Sequence, residues 1–130
     1  MGGRIIVVDD APFMRRRLRD ILEGAGHEVL GEGAEGGALL ELYELHRPDV
    51  ATLDLVMPGL GGLDALRELR KRHPEARVIV CSSLSDQGTL LRAIDLGARD
   101  FVVKPVDEAK LLESVSKALR AAPAPRGPTP

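Results

Sequence analysis

Short apolar runs alternate along the chain with longer stretches in which apolar residues recur every three or four positions. The runs are rich in β-branched residues and lie at 5–8, 27–31, 49–53, 77–81 and 101–103. Runs of this length indicate buried strands, whereas residues spaced like Met14, Leu18, Ile21 and Leu22 indicate an amphipathic helix. The pattern therefore predicts five strands, each followed by a helix.

Proline and glycine residues mark the ends of these elements. Pro12 suits the first turn of the first helix, and Gly24 and Gly97 lie where the first and fourth helices end. Strict alternation of strands and helices predicts a parallel sheet covered by helices on both faces. The predicted fold class is therefore α/β, a (βα)5 doubly wound five-stranded parallel sheet.

The composition is that of an ordinary globular protein. With 130 residues, 44% hydrophobic and 29% charged, and a formal net charge of −2, the chain suits one domain without a nucleic-acid-binding or membrane-binding surface. No apolar run approaches the roughly 20 residues of a membrane span, and MGGR leads into the first strand without a signal-peptide pattern. We therefore expect a cytoplasmic protein. The single cysteine, Cys81, closes an apolar run and is expected to be a buried structural thiol.

The end of the chain differs in composition from the rest. Residues 122–130 read APAPRGPTP, which contains four prolines and no apolar anchor. Such a segment cannot bury enough apolar surface to pack. We predict a folded domain over residues 1–121 and a flexible proline-rich tail over 122–130.

Polar side chains follow the predicted strands at the points where the strands end. Asp9 and Asp10 follow the first strand, Asp54 the third, Ser82 the fourth and Lys104 the fifth. In a parallel sheet the carboxyl ends of the strands meet at one edge, where ligands gather. We therefore expect three carboxylates, a hydroxyl and an ammonium group in one site.

Three neighbouring carboxylates need a cation. Two unit charges roughly 4 Å apart repel by about 4 kcal/mol at an effective dielectric constant near 20. Oxygen ligands without clustered histidine or cysteine favour a hard ion, Mg²⁺ before Zn²⁺. A bound Mg²⁺ with open coordination positions beside a lysine can receive a phosphoryl group. The residues thus predict a carboxylate that accepts phosphate.

The segments that carry these residues resemble, in order and spacing, the response-regulator receiver domain of bacterial two-component signalling. They are VVDDAPFMRRRL, DLVMPGLGGLDAL, VIVCSSLSD and GARDFVVKP, and the resemblance covers residues 4 to about 120. Among receivers, the chain is most similar to the stand-alone chemotaxis regulators of the CheY type. The resemblance implies a flavodoxin-like sheet with strand order 2-1-3-4-5. It also implies a monomeric signalling switch that accepts phosphate and is not an enzyme in the ordinary sense.

The resemblance assigns a role to each residue of the site. Asp54 would accept the phosphoryl group from a histidine kinase or phosphotransfer protein. Asp10, Asp54 and the Val56 carbonyl would bind Mg²⁺ directly, and Asp9 would bind it through water. Lys104 would contact one phosphoryl oxygen.

Two further residues would carry the signal away from the site. Ser82 would move to donate a hydrogen bond to the phosphoryl group, and Phe101, at the aromatic switch position, would rotate inward after it. This rotation would reshape the face of the fourth helix, fifth strand and fifth helix. A downstream output protein, such as a motor or pilus component, would bind there. The resemblance also implies a cis peptide bond between Lys104 and Pro105.

Four positions bear on how this chain differs from other receivers. Gly61 replaces a loop residue that is often acidic or polar, and Ser83 replaces a usual alanine. Val56 and Leu84 are apolar at two positions that influence hydrolysis of the phosphoryl group. Because neither side chain can orient water, we expect slow autodephosphorylation.

Three other interpretations compete with a stand-alone switch. One is a receiver module detached from a longer regulator, such as a chemotaxis methylesterase, with the tail as its former linker. Another is a dinucleotide-binding domain, because GEGAEG matches the glycine motif through Gly31, Gly33 and Gly36, although it follows the second strand rather than the first. A receiver that works without phosphate is disfavoured by the complete set of acidic, hydroxyl and lysine residues.

Some charged residues have no assigned role in the site. The first predicted helix carries Arg15, Arg16, Arg17 and Arg19, which we expect to form a solvated helix face rather than a docking surface, although the first helix contacts the kinase in this family. His73 ends a helix before a proline and is expected to place a favourable charge near the negative end of the helix dipole.

Overall fold

Strands alternate with helices as predicted, and the strand ends differ from the sequence pattern by one or two residues. The computed structural model describes residues 2–57, 59–83 and 87–120. Its strands are β1 Arg4–Val8, β2 Glu28–Gly33, β3 Val50–Leu53, β4 Val78–Ser82 and β5 Asp100–Val103. Its helices are α1 Pro12–Gly24, α2 Gly37–His46, α3 Gly62–Arg72, α4 Gln87–Asp95 and α5 Glu108–Arg120.

The sheet is parallel throughout and has the order β2-β1-β3-β4-β5, which confirms the predicted fold class and strand order. The chain leaves β1 toward β2 on one side and returns to β3 on the other. Connections that diverge from neighbouring strands open a crevice at the carboxyl ends of those strands. Asp9 and Asp10 lie directly after β1, and Asp54 lies directly after β3. The topology therefore places all three carboxylates at this crevice.

Each face of the sheet has its own core. Ile5 and Val7 lie in the cluster formed with α1 and α5, whereas Ile6 and Val8 lie in the cluster formed with α2, α3 and α4. All four side chains are at most 1% exposed. Burial on both faces explains why this run is apolar at every position rather than at alternate positions.

The pairing of β1 with β2 contains one irregularity. The register shifts by one residue after the pair Ile5 and Val29, so that Glu32 pairs with Val7. Val7 belongs to the cluster under α1. Because paired residues of neighbouring strands point to the same face, the shift turns Glu32 toward α1.

The amino ends of the strands are joined by a network of polar contacts. Arg4 donates from its guanidinium to the carbonyl oxygens of Arg47 and His46 at 2.8 and 2.7 Å. His73 accepts a hydrogen bond at Nδ1 from Arg47 Nη1 at 3.1 Å and contacts Glu44 Oε2 through Nε2 at 3.0 Å. These contacts hold the end of α3 against α2 and its C-terminal turn. The expectation that His73 places a charge at the end of its helix stays a prediction.

The remaining predictions concern Cys81, Leu84, the proline-rich tail and membrane-spanning segments. Cys81 is buried, as predicted, and burial raises the pKa of its thiol to about 12. Leu84 and the tail at 122–130 lie outside the described residues. Among the helices of the described ranges, none combines the length and apolar character needed to cross a membrane.

Candidate functional site at the carboxyl edge of the sheet

Residues from four strand ends meet at the crevice between β1 and β3. The Asp54 amide donates to the Val8 carbonyl at 2.9 Å, which holds the end of β3 beside the end of β1. The Lys104 amide donates to the Ser82 carbonyl at the same distance, 2.9 Å, which holds the end of β5 beside β4. One carboxylate oxygen from each of Asp9, Asp10 and Asp54 lies within 4.8 Å of the other two. The predicted acidic residues are thus brought together.

Asp9 is the most deeply buried of the three carboxylates. The residue is 0% exposed, and both of its carboxylate oxygens have partners within the protein. Oδ1 accepts from the Ala11 amide at 2.9 Å, and Oδ2 accepts from Lys104 Nζ at 2.7 Å. Asp9 therefore contacts both the start of α1 and Lys104. Asp10, in contrast, is exposed.

Lys104 bridges two of the carboxylates. Its Nζ lies 3.3 Å from Asp54 Oδ2 in addition to its contact with Asp9, and Asp54 Oδ1 accepts from the Val56 amide at 3.2 Å. Burial opposes the charge on Lys104, but the hydrogen bond and charge of Asp9 and the charge of Asp54 outweigh it and raise the pKa of the ammonium group. The lysine is therefore fully charged at neutral pH, and its position beside Asp54 suits contact with a group bound there.

The charge and donor types of the site fit a divalent cation. Three carboxylates and one ammonium group leave a formal charge of −2 in a crevice where Asp9 and Asp54 are buried. All three clustered donors are carboxylate oxygens, the ligand type that Mg²⁺ prefers. Lys104 Nζ lies farther from Asp54 Oδ2 than from Asp9 Oδ2, 3.3 against 2.7 Å, and Asp10 is exposed, so Asp10 and Asp54 are the carboxylates more open to an ion.

The two predicted switch residues lie on neighbouring strands. Ser82 ends β4, is 2% exposed and pairs with Val103 of β5. Phe101 lies two residues before Val103, is half-buried, and lines a groove with Leu90, Leu91 and Ile94 of α4. The pairing of β4 with β5 therefore links the acidic site to the groove on α4. The peptide bond that follows Lys104 is cis, as the resemblance implied.

The glycines of the GEGAEG segment serve packing. Gly31 and Gly33 lie within β2, where an added Cβ would come within 3.0 Å of Leu42 and 2.5 Å of Ala38. An added Cβ at Gly36 would collide with the Leu60 backbone oxygen. Since Gly31 and Gly33 lie within a strand, they do not form the glycine turn after a strand on which a dinucleotide-binding motif depends.

The arginines of α1 divide into two pairs. Arg16 and Arg17 are exposed, as predicted for a solvated helix face, and the side chain of Arg16 is 79% exposed. Arg15 and Arg19 are half-buried, and both approach Glu32. The sequence did not reveal this shared partner because it comes from β2, and only the four-residue spacing of 15 and 19 indicated a shared helix face.

Comparison with known proteins finds the same architecture and the same class of protein. The family described as the response regulator receiver domain matches residues 5–116. The chemotaxis protein CheY of Thermotoga maritima is 44% identical over 117 residues, which cover 90% of this chain and 98% of that protein. A protein-glutamate methylesterase/protein-glutamine glutaminase of Pyrococcus horikoshii is 39% identical over 132 residues, which cover 95% of this chain but only 36% of the methylesterase. A crystal structure of a CheX-CheY-BeF3-Mg complex from Borrelia burgdorferi matches with a TM-score of 0.87 at 30% identity, covering 91% of this chain and 90% of that one.

Proposed function

This chain belongs to the response regulator receiver domain family, and on that premise we propose that it is a signalling switch controlled by phosphorylation of Asp54. The observation that carries the proposal is the cluster of Asp9, Asp10 and Asp54, with Lys104 bridging two of its members. A buried carboxylate beside an ammonium group and two further acids is poised to accept a transferable anionic group once a cation offsets the charge. An aspartate that only occupied a surface turn would need neither a neighbouring lysine nor two further carboxylates.

The chemistry follows from the contacts of Asp54. An oxygen of the Asp54 carboxylate attacks the phosphorus of a phosphohistidine, the phosphorus–nitrogen bond breaks, and the imidazole leaves with the electron pair. Asp10, Asp54 and the Val56 carbonyl would hold Mg²⁺ directly, and Asp9 would contribute through water. When bound, Mg²⁺ supplies the positive charge that lets the anionic donor approach the carboxylates. Lys104, already 3.3 Å from Asp54 Oδ2, then pairs with a phosphoryl oxygen.

The modified Asp54 would change a distant surface through β4 and β5. Ser82 donates to the phosphoryl group, and Phe101 moves into the groove that it lines with α4. Leu91, Ile94 and Val103 are exposed apolar residues on this side of the molecule. The face of α4, β5 and α5 is therefore the proposed surface for a downstream output protein.

The phosphoryl donor would approach from the side of α1. Phe13 is 76% exposed at the start of α1 and lines a groove with Arg16, Ile21 and Glu108. An exposed aromatic ring beside the acidic site suits contact with a histidine kinase or phosphotransfer protein. We propose that these contacts serve chemotaxis or motility control, in line with the names of the relatives.

A second candidate is a receiver module belonging to a larger chemotaxis methylesterase. The observation that favours it is the 39% identity to the methylesterase of Pyrococcus horikoshii, of which the match covers 36%. The site chemistry would be identical, and the output surface would bind an attached effector domain instead of a separate protein. Measuring phosphorylation-dependent binding to an isolated methylesterase domain, with a motor or pilus protein as the comparison, distinguishes the two.

Intact mass spectrometry tests the central proposal. The full chain, incubated with Mg²⁺ and acetyl phosphate, is expected to gain one phosphate, and Asp54→Ala is expected to gain none. Asp64→Ala is the matched control, because Asp64 is an exposed aspartate of α3 that should leave the adduct intact. A phosphate adduct on Asp54→Ala would refute the assigned acceptor. An adduct on wild type that disappears within seconds would refute slow release.

A further inference from the structure

The turn between β1 and α1 carries both Asp9 and Asp10 yet has little local support. The N-cap residue of α1, Ala11, has no side chain that could cap the helix, and Pro12 offers no amide hydrogen. Asp9 supports the turn through its own carboxylate, which accepts from the Ala11 amide at 2.9 Å. The peptide group that joins Asp9 to Asp10 needs another partner to set its orientation.

Arg15 supplies that partner. Its Nη1 donates to the Asp9 carbonyl oxygen at 2.7 Å, a short contact from a charged donor. Because a peptide group is planar, holding the carbonyl of Asp9 also sets the direction in which the Asp10 backbone leaves the turn. A change at Arg15 can therefore shift the backbone from which the Asp10 carboxylate extends.

Glu32 holds Arg15 in place from the neighbouring strand. Glu32 Oε1 lies 3.4 Å from Arg15 Nε, and Glu32 Oε2 accepts from Arg19 Nε at 2.6 Å. The side chains of Arg15 and Glu32 are 20% and 29% exposed, so the contact is partly shielded from water. The planar guanidinium can serve the carbonyl and the carboxylate at once, which a lysine ammonium in its place could do less well.

We propose that Arg15 is a positioning residue for the Mg²⁺ site, acting through the Asp9–Asp10 peptide group. The inference rests on the proposed function, since it requires that the acidic cluster binds Mg²⁺. Charge alone predicts the opposite effect, because a guanidinium near the site repels a cation and its removal would strengthen binding. The sign of the change in Mg²⁺ affinity therefore separates positioning from simple electrostatics.

Calorimetric titration of the full chain with Mg²⁺ alone tests the inference. Arg15→Gln is expected to weaken Mg²⁺ binding about 10-fold, the lower end of the range for residues that orient metal ligands. Arg15→Lys keeps the charge but loses the planar set of guanidinium donors, and it is expected to weaken Mg²⁺ binding about threefold. Arg16→Gln, which removes the same charge from the exposed side of α1, should stay within about twofold of wild type.

The outcomes separate this inference from the function on which it rests. Wild-type affinity, or tighter binding, in both Arg15 variants would overturn the positioning role while leaving the Mg²⁺ site standing. A wild-type chain that binds no Mg²⁺ would overturn the proposed function and this inference with it. Thermal unfolding in EDTA checks each variant for folding, and if Arg15→Gln does not fold, Arg15→Lys alone decides the result.

Discussion

The two edges of the sheet handle charge in opposite ways. At the carboxyl edge, Asp9, Asp10 and Asp54 crowd together, and the ammonium group of Lys104 contacts Asp9 and Asp54. At the amino edge, charged groups meet partners of opposite charge or complementary dipoles, as where Asp49 accepts from the Arg4 amide at 2.8 Å. The carboxyl edge holds an excess of negative charge, whereas Arg4, Asp49 and His73 at the amino edge each have complementary partners.

The difference identifies the carboxyl edge as the place where clustered charges lower the stability of the native state. Like charges placed within 4.8 Å destabilise the native state, and nothing in packing requires them to be there. A cation bound at this edge would recover part of that free energy, so cation binding and stability would be linked there. The contacts of Arg4 and Asp49 at the amino edge join groups of complementary charge, and they stabilise the fold without a bound ion.

The largest expected effect comes from removing the ammonium group. Lys104→Met should lower the free energy of unfolding in EDTA by about 3 kcal/mol, because it leaves buried carboxylates without their partner. Urea denaturation measures the loss, and saturating Mg²⁺ should restore part of it. Lys110→Met is the control, since that lysine is 43% exposed and lies 3.4 Å from Asp100. Equal losses in both variants would contradict the special role of the carboxyl edge.

A smaller effect of opposite sign is expected for Asp10. Asp10→Asn removes one of the like charges and should raise the free energy of unfolding in EDTA by about 1 kcal/mol. In saturating Mg²⁺ the order should reverse, because wild type then gains more from the ion. Asp64→Asn, which breaks an exposed ion pair with Arg67 at 2.8 Å, should be neutral or slightly destabilising in both conditions. A loss of stability in Asp10→Asn without Mg²⁺ would show that repulsion is not the dominant cost.

The smallest effect is a pH dependence at the amino edge. His27 accepts the Gly3 amide at Nδ1 at 2.9 Å, and burial lowers the pKa of its imidazole. A histidine that the fold keeps neutral contributes stability above its unfolded pKa of about 6.5, and that contribution is lost as the pH falls below it. Wild type should therefore lose more stability than His27→Gln between about pH 7.5 and 5.5, since a glutamine oxygen accepts at either pH. Parallel pH profiles would argue against this contact.

Sequence reasoning succeeded where the physical rule depends on chain order alone. In a parallel sheet every strand ends at the same edge, so the positions of Asp9, Asp54, Ser82 and Lys104 along the chain were enough to predict that they lie at one edge. The continuous apolar run at 5–8 was equally informative, because only a strand covered on both faces needs one.

It failed where contacts depend on register. The contact between Arg15 and Glu32 exists because the β1–β2 register shifts after Ile5, which turns Glu32 toward α1. A one-residue shift reverses the face on which every later side chain lies. The pattern of apolar residues in β2, EVLGEG, does not indicate that shift. The same limit hid the partners of His73, which come from α2 and its C-terminal turn rather than from its own helix.

Cys81 gives the molecule a built-in reporter of unfolding. It is the single cysteine of the chain, it lies one residue before Ser82 in the interior of the sheet, and its thiol is almost entirely protonated at neutral pH. A thiol reagent can therefore modify the protein only when β4 becomes accessible, and the rate of modification reports how often that happens. In a chain with no tryptophan, Cys81 labelling would follow the opening of the strand that carries Ser82, the proposed switch residue, with and without Mg²⁺.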